Sequence, residues 1–434
     1  MVKSLKLTRG GIRLPLIQEK PVGYTNAFLP SIALVSLSGC ESGSESVYVS
    51  AGEYVKEGQL IAKCNITNMS FHSPVPGRVL GIWDSPLPDG SFGRAVGIQM
   101  EGSFSILGRP YGKLQWKSLD SRTLKTMFSA YGVVNTSGKA YPVTEEINRS
   151  HPSILIVRLF EKDPTYVMDS FILNNFINEV IEGSAVIAKA AGVKKIFFAF
   201  GEQAELPFIV DFISRLNSVV DSGITVDFST VKEKYPVSNK RLLLGSLLSQ
   251  KMIPYDSVPM VVDSSTVISA FNAVTYDRPV LERLIHVSGS GIMNPKMLKV
   301  RIGTKIGDLI DECGGFSGSP GRIIVNGLFS GVSVYDLDTP VSKDTESIIV
   351  VEKEDYREFA MTDCIHCGAC ISVCPVGINP VKIYSCIRNN LFDEAVFEEG
   401  GNCISCSCCS SVCPSRIPLV KFFSKLKKTG GKND

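Results

Sequence analysis

Hydrophobic positions change their period along the chain, and the changes divide it. From about residue 27 to 100 the apolar residues come in short runs within Ser31–Leu37, Glu45–Cys64 and His72–Ile82, broken by the turn pairs Ala51-Gly52, Glu57-Gly58 and Pro76-Gly77. Alternating short strands punctuated by Gly and Pro predict a compact all-β sandwich. From about 115 to 285 the runs Ile154–Phe160, Lys194–Phe200, Ile224–Ser229 and Val258–Val262 alternate with longer amphipathic segments, Val167–Gly192, Leu206–Gly223 and Asn239–Met252. Strands alternating with helices predict an α/β domain with parallel pairs. Residues 286–352 return to short strands around one helical stretch, Lys305–Gly315, and from 355 onward the pattern is helical around cysteines. The opening Gly10–Lys20 reads as extended.

Composition narrows the class. The 434 residues are 44 % hydrophobic and 20 % charged, enough for several packed cores. A formal net charge of +2 supplies no field for nucleic acid. No apolar run reaches the roughly 18 residues of a membrane span. The start, MVKSLKLTRGG, lacks the apolar core of a signal peptide, so the expected location is cytoplasmic.

Most of the 13 cysteines crowd between Cys364 and Cys413. Two runs share one spacing: Cys364-x2-Cys367-x2-Cys370-x3-Cys374-Pro375 and Cys403-x2-Cys406-x2-Cys409-x3-Cys413-Pro414. Such spacing belongs to proteins with two [4Fe–4S] clusters, in which the fourth Cys of each run crosses to the other cluster. The expected sets are therefore Cys364, Cys367, Cys370 and Cys413 for one cluster, and Cys403, Cys406, Cys409 and Cys374 for the other. Structural zinc fits less well, because it uses two separated pairs. Cys408 breaks the spacing and reads as a bystander, and His366 as packing beside a cluster. Cys40, Cys64, Cys313 and Cys386 read as small core residues.

With these motifs in hand, the chain resembles the family of C subunits of Rnf electron-transport complexes, nearly end to end. Gly10-Gly11-Ile12 with Pro15 and Lys20 is similar to its opening GGIHxPxxK. Val49–Ile82 resembles its barrel-sandwich hybrid domain, and Val287–Gly315 its soluble-ligand-binding β-grasp (SLBB) domain. The two cysteine runs, including the Cys-Cys at 408–409, are similar to its cluster motifs. The resemblance implies a mixed α/β multidomain chain: the N-terminal segment and barrel-sandwich hybrid over 1–105, a Rossmann-like flavin/NADH-type domain over 106–285, the β-grasp domain over 286–354, a helical two-cluster ferredoxin domain over 355–428, and a tail over 429–434.

The resemblance also implies a flavin loop of the form GxGGAGFPT. Here it reads Asn135-Thr136-Ser137-Gly138-Lys139-Ala140-Tyr141-Pro142-Val143, keeping only Gly138 and Pro142. The family segment NGAECEPY reads Arg158-Leu159-Phe160-Glu161-Lys162-Asp163-Pro164-Thr165, keeping Glu161 and Pro164 with Asp163 for a Glu. Gly138, Pro142, Glu161 and Asp163 are thus the remnants of a flavin/NADH site. Side chains at 135, 137 and 140 are expected to obstruct the close backbone approach that a phosphate needs, which sets FMN and NADH in doubt. Either the domain keeps only its fold, or Lys139, Arg158, Lys240 and Arg241 rebuild an anion site. In the sandwich no Lys lies between Lys63 and Arg78, so a carrier lysine at the hairpin Asn65–Ser70 is not expected. The apolar then basic C-terminal stretch from Ile417 fits a membrane surface, an acidic partner or a solvated helix end.

The function implied is that of an iron–sulfur electron-transfer subunit, peripheral on the cytoplasmic face of a membrane complex. Such complexes couple electron flow between ferredoxin or flavodoxin and NAD to ion translocation, and integral membrane subunits are the implied partners. A soluble adaptor feeding a reductase and a scaffold subunit are the alternatives.

Overall fold

The computed structural model describes residues 4–14, 21–40, 43–102, 114–220, 223–355, 360–397 and 400–429. Pro15 and Lys20 of the opening motif, and positions 430–434 of the tail, lie outside the described residues.

A five-stranded parallel sheet occupies the middle of the chain. Its order is Ser4–Leu5, Thr225–Val231, Lys195–Gly201, Ile154–Leu159, Pro259–Asp263. Every residue of Ile154–Leu159 is buried, as expected where helices cover both faces. Leu155, Val157 and Leu159 pack toward the helices Ser121–Ala130, Ile177–Ala191 and Ser264–Thr275, while Ile154 and Ile156 share the other core with Leu243 and Leu247 of Lys240–Ser249. The helical stretch predicted from Val167 breaks in two, Asp169–Asn175 and Ile177–Ala191. Phe176 leaves helical geometry (φ −134°, ψ 38°) and sets its ring against Tyr24 and Phe171.

The N-terminal β region forms two sheets around one core. Ile32–Ser36, Phe92–Met100, Gly77–Pro86 and Tyr54–Val55 make an antiparallel sheet, and Glu45–Val47, Leu60–Cys64 and Ser70–His72 a second. Val35, Ile61, Phe71, Val96 and Ile98 fill the space between. Two short strands within the expected 1–105 unit pair outside it. Ser4–Leu5 extends the parallel sheet, and Thr25–Asn26 pairs with Leu298-Lys299 in the six-stranded sheet of the 282–352 region. Backbone pairing sites at two sheet edges win over proximity in sequence.

Two of the four cysteines expected to be simple core residues are bonded instead. Cys40 and Cys64 form a disulfide with Cα atoms 5.6 Å apart. The strand Leu60–Cys64 pairs with Glu45–Val47, which brings the preceding turn against its end. Cys313 and Cys386 are free and buried, as expected.

Side chains lock the domains together. The Lys343 ammonium reaches between domains and donates to the carbonyls of Ser70 and Gly132, both at 2.7 Å. Burial, with the charge of Arg283 nearby, lowers its pKa to about 7. Tyr166 donates to Glu346 at 2.8 Å. The hairpin Asn65–Ser70 is held down: Asn68 donates to Glu145 and Ser70 to the Ser129 carbonyl.

Candidate functional site: paired cysteine loops and a filled crevice

The two cysteine runs fold alike. His366 and Ser405 take φ of 56° and 57°, and Gly368 and Ser407 take 76° and 62°. These left-handed turns curl each loop so that its amides face its first sulfur. The His366 N–H points at Cys364 Sγ and the Ser405 N–H at Cys403 Sγ, each at 3.4 Å. Donors of this kind stabilise a thiolate, the form that binds iron. His366 contributes its backbone there and is itself exposed. Short helices, Ala369–Ser372 and Cys408–Ser411, follow each loop, and Pro380–Arg388 and Leu419–Thr429 pack beneath them.

The last cysteine of the second run lies beside the first three of the first run. Cys364, Cys367, Cys370 and Cys413 line a single pocket with Val381, Tyr384 and Ile417. The thiols do not converge on one point: among the described residues no group of three or more His, Cys, Asp or Glu is arranged to hold a single metal ion. A cubane takes its ligands at separate corners. Burial and the neighbouring Cys364, Cys367 and Cys413 raise the Cys370 pKa. In the second group, burial and the nearby Cys406, Cys403 and Cys374 push the Cys409 thiol up to about 12. Apolar walls and crowded sulfurs make these thiols poor acids on their own; iron that binds the thiolates offsets that cost. Both four-thiol sets therefore fit a [4Fe–4S] cluster in donor chemistry.

Sequence reasoning gave no role to Cys408 and Tyr235, which seat the second loop, and did not place the opening glycines against the first. Cys408 is fully buried and its thiol points at the Tyr235 carbonyl, 3.9 Å away. The Cys408 thiol also donates to Cys406, which lowers the Cys406 pKa to about 7. Gly10 and Gly11 lie between the end of the first cysteine run, Val373-Cys374, and Tyr235 of the parallel-sheet domain. Gly11 donates to the Val373 carbonyl at 2.8 Å and Ile12 to the Tyr235 carbonyl at 2.9 Å. A Cβ at Gly10, whose φ is 58°, would lie 2.6 Å from the Cys374 backbone. The glycine pair in the opening was the available signal.

The flavin loop folds inward. Strand order reverses beside Ile154–Leu159, between Lys195–Gly201 and Pro259–Asp263, and doubly wound sheets bind ligands at the carboxyl end of such a switch point. Here protein side chains fill it. Arg158 is fully buried, bonded to Asp169 at 2.9 Å and paired with Asp263 at 3.6 Å. Burial raises the Asp169 pKa, with Arg158 opposing it; burial also acts to raise Asp263, but Arg158 and the bonds from Thr266 outweigh it and hold that carboxyl low. Asn135 donates to Glu146 and the Val261 carbonyl, and Ser137 to the Val261 carbonyl. The side chains expected to intrude on a phosphate at 135 and 137 turn into the protein instead. The obstruction has another cause: the Thr136 N–H is spent on Thr266 Oγ1 at 2.9 Å and the Ser137 N–H on Asn135 Oδ1 at 3.1 Å. Ala140 packs partly buried against the β-sandwich core.

The other expected site residues are likewise engaged. Glu161 accepts from the amides of Met168, Asp169 and Ser170 at the start of a helix. Asp163 is fully buried and accepts from Thr165, Phe329 and Ser330, tying two domains together. Pro142 precedes the helix Val143–Ser150, and only Gly138 is open, with nothing within 4 Å of an added Cβ. Lys240 pairs with Glu146 at 2.7 Å. The residues present do not fit a phosphate cradle, and Arg158 and Lys240 already have their anions.

Comparisons with known proteins agree with this layout. The chain matches the Nuo51 FMN-binding domain over residues 128–276, the SLBB domain over 284–328 and the 4Fe-4S binding domain over 358–378. It is 25 % identical over 400 residues to the C subunit of the Na(+)-translocating ferredoxin:NAD(+) oxidoreductase complex of Acetobacterium woodii, covering 89 % of this chain and 88 % of that one. It is 27 % identical over 406 residues to the proton-translocating counterpart of Clostridium ljungdahlii, covering 90 % and 86 %. A NAD+-reducing [NiFe]-hydrogenase in its H2-reduced state shares the fold, with a TM-score of 0.50 at 13 % identity over 73 % of this chain and 68 % of that one. Matches along about nine-tenths of its length, and the cysteine loops toward their end, make the chain similar to the C subunits of ion-translocating oxidoreductase complexes.

Proposed function

We propose that the chain is the iron–sulfur electron-transfer subunit of an Rnf-type complex, which couples electron flow between ferredoxin or flavodoxin and NAD to ion translocation. The observation that carries this reading is the shared pocket of Cys364, Cys367, Cys370 and Cys413, which joins the first three thiols of one run to the last of the other. Two clusters follow, the second held by Cys403, Cys406, Cys409 and Cys374. A [4Fe–4S] cluster takes up and releases one electron at a time. The protein needs no acid, base or nucleophile for that. Its thiols fix the clusters, its amides steady their sulfurs, and Ile378, Ile383 and Phe423 keep water from them.

In this reading the sheets at 32–100 form a barrel-sandwich hybrid, the parallel sheet a Rossmann-like domain, the 282–352 sheet a β-grasp domain, and residues from about 355 to 428 a helical ferredoxin domain. No helix among the described residues is long and apolar enough to cross a membrane. Attachment to the cytoplasmic face and the ion path are assigned here to the partner subunits. The filled crevice favours entry of electrons from a protein carrier over entry through a bound flavin.

Anaerobic purification tests the proposal. The protein should hold about eight iron and eight sulfide per chain, as two cubanes require, and should stay with the membrane through simple washing. Zinc in place of iron, or about four iron, contradicts it; recovery wholly in the soluble fraction favours the adaptor alternative.

A further inference from the structure

The two loops share a sequence pattern but not an environment. In the second loop Cys408 and Cys409 are buried, and the Cys408 thiol abuts the Tyr235 carbonyl of the parallel-sheet domain. Ile404, between its first two ligands, is half-buried. In the first loop the corresponding residue, Ile365, is 67 % exposed, and Cys367 and His366 are exposed beside it. Met361, three residues before the first ligand, is 45 % exposed. An apolar side chain held out in water beside an exposed cysteine of the run, where its counterpart in the repeat is half-buried, singles out this face.

We propose that the face around Ile365 is the docking surface for a one-electron carrier protein, and that electrons cross it to and from the cluster of Cys364, Cys367, Cys370 and Cys413. This rests on the cluster assignment above. Transfer weakens steeply with distance, so an exchange surface must lie over the cluster nearest solvent. Redox encounters use small interfaces, below about 1,200 Å² in total, and Ile365 and Met361 are both exposed on this face. A rim suits a transient complex. Asp363 and Arg388 lie beside the loop, 3.3 Å apart with exposed side chains, and rim charges of this kind act on association rate and salt dependence. The partner is thus a carrier with its own redox centre close to an apolar edge. It loses one electron and the outer cluster gains it; no bond or proton moves. The buried second cluster, against Tyr235, is the inner station.

The test uses the intact, cluster-loaded protein and a reduced bacterial two-cluster ferredoxin as the probe. Cluster bleaching is followed by stopped flow after mixing with the ferredoxin or with dithionite. Ile365→Glu should slow reduction by ferredoxin roughly tenfold or more, because a charge at the centre of an apolar contact is desolvated on docking, with dithionite reduction and iron content unchanged. Tyr255→Glu, at a 91 % exposed position in the parallel-sheet domain, should react like wild type. If Ile365→Glu loses iron, the same comparison with Met361→Glu decides. A loaded Ile365→Glu protein with the wild-type ferredoxin rate, or an equal loss in Tyr255→Glu, overturns the docking face and leaves the cluster assignment intact. A wild-type protein with no clusters overturns the reading beneath it.

Discussion

Arg158 shows how one residue changes what a crevice does. In the resembled family segment the position is Asn; here a guanidinium is buried between two carboxylates, Asp169 and Asp263. Arg158→Leu strands both acids in the interior. It should lower the stability of the middle domain by about 3–5 kcal/mol, the cost of breaking a buried pair from one side. Adding Asp169→Asn and Asp263→Asn should recover much of that loss, since apolar or neutral replacement of a whole buried triad is tolerated far better than half of it. Denaturant unfolding of the single and the triple variant checks both signs. A single variant as stable as wild type contradicts the packing described here.

The elements themselves were largely legible. The predicted strands at Ile154, Lys194, Ile224 and Val258, and the helices at Leu206, Asn239 and Lys305, form where hydrophobic period and capping residues put them. Asn239, for example, caps its helix through Arg241. What sequence did not show was long-range. Nothing local reports that Ser4–Leu5 joins a strand more than 200 residues away, that Cys40 meets Cys64, or that Phe176 breaks a helix to reach Tyr24. The flavin loop was legible as altered, yet the direction of its side chains was not. Its amides are satisfied by Thr266 and Asn135, a pairing that depends on the fold. This loop carries its own prediction. Titration of the cluster-loaded protein should show no FMN binding at micromolar concentration, and NADH should not bleach the clusters. Tight FMN binding with NADH-dependent bleaching would restore a full entry site at residues 134–143.

At the scale of the whole molecule, the ferredoxin region is fastened to the rest by the opening segment and by Tyr235, while Lys343, Asp163 and Glu346 lock the three preceding domains. In the proposed assignment the fastening sets which cluster faces inward, and the ligand crossing joins the two. That crossing is the central claim, and electron paramagnetic resonance of reduced single-cysteine variants tests it most directly. The account predicts that Cys413→Ala leaves the same residual spectrum as Cys367→Ala, and Cys374→Ala the same as Cys406→Ala, with Cys408→Ala retaining both signals. A Cys413→Ala spectrum that matches Cys406→Ala, or a cluster lost in Cys408→Ala and kept in Cys409→Ala, would contradict it.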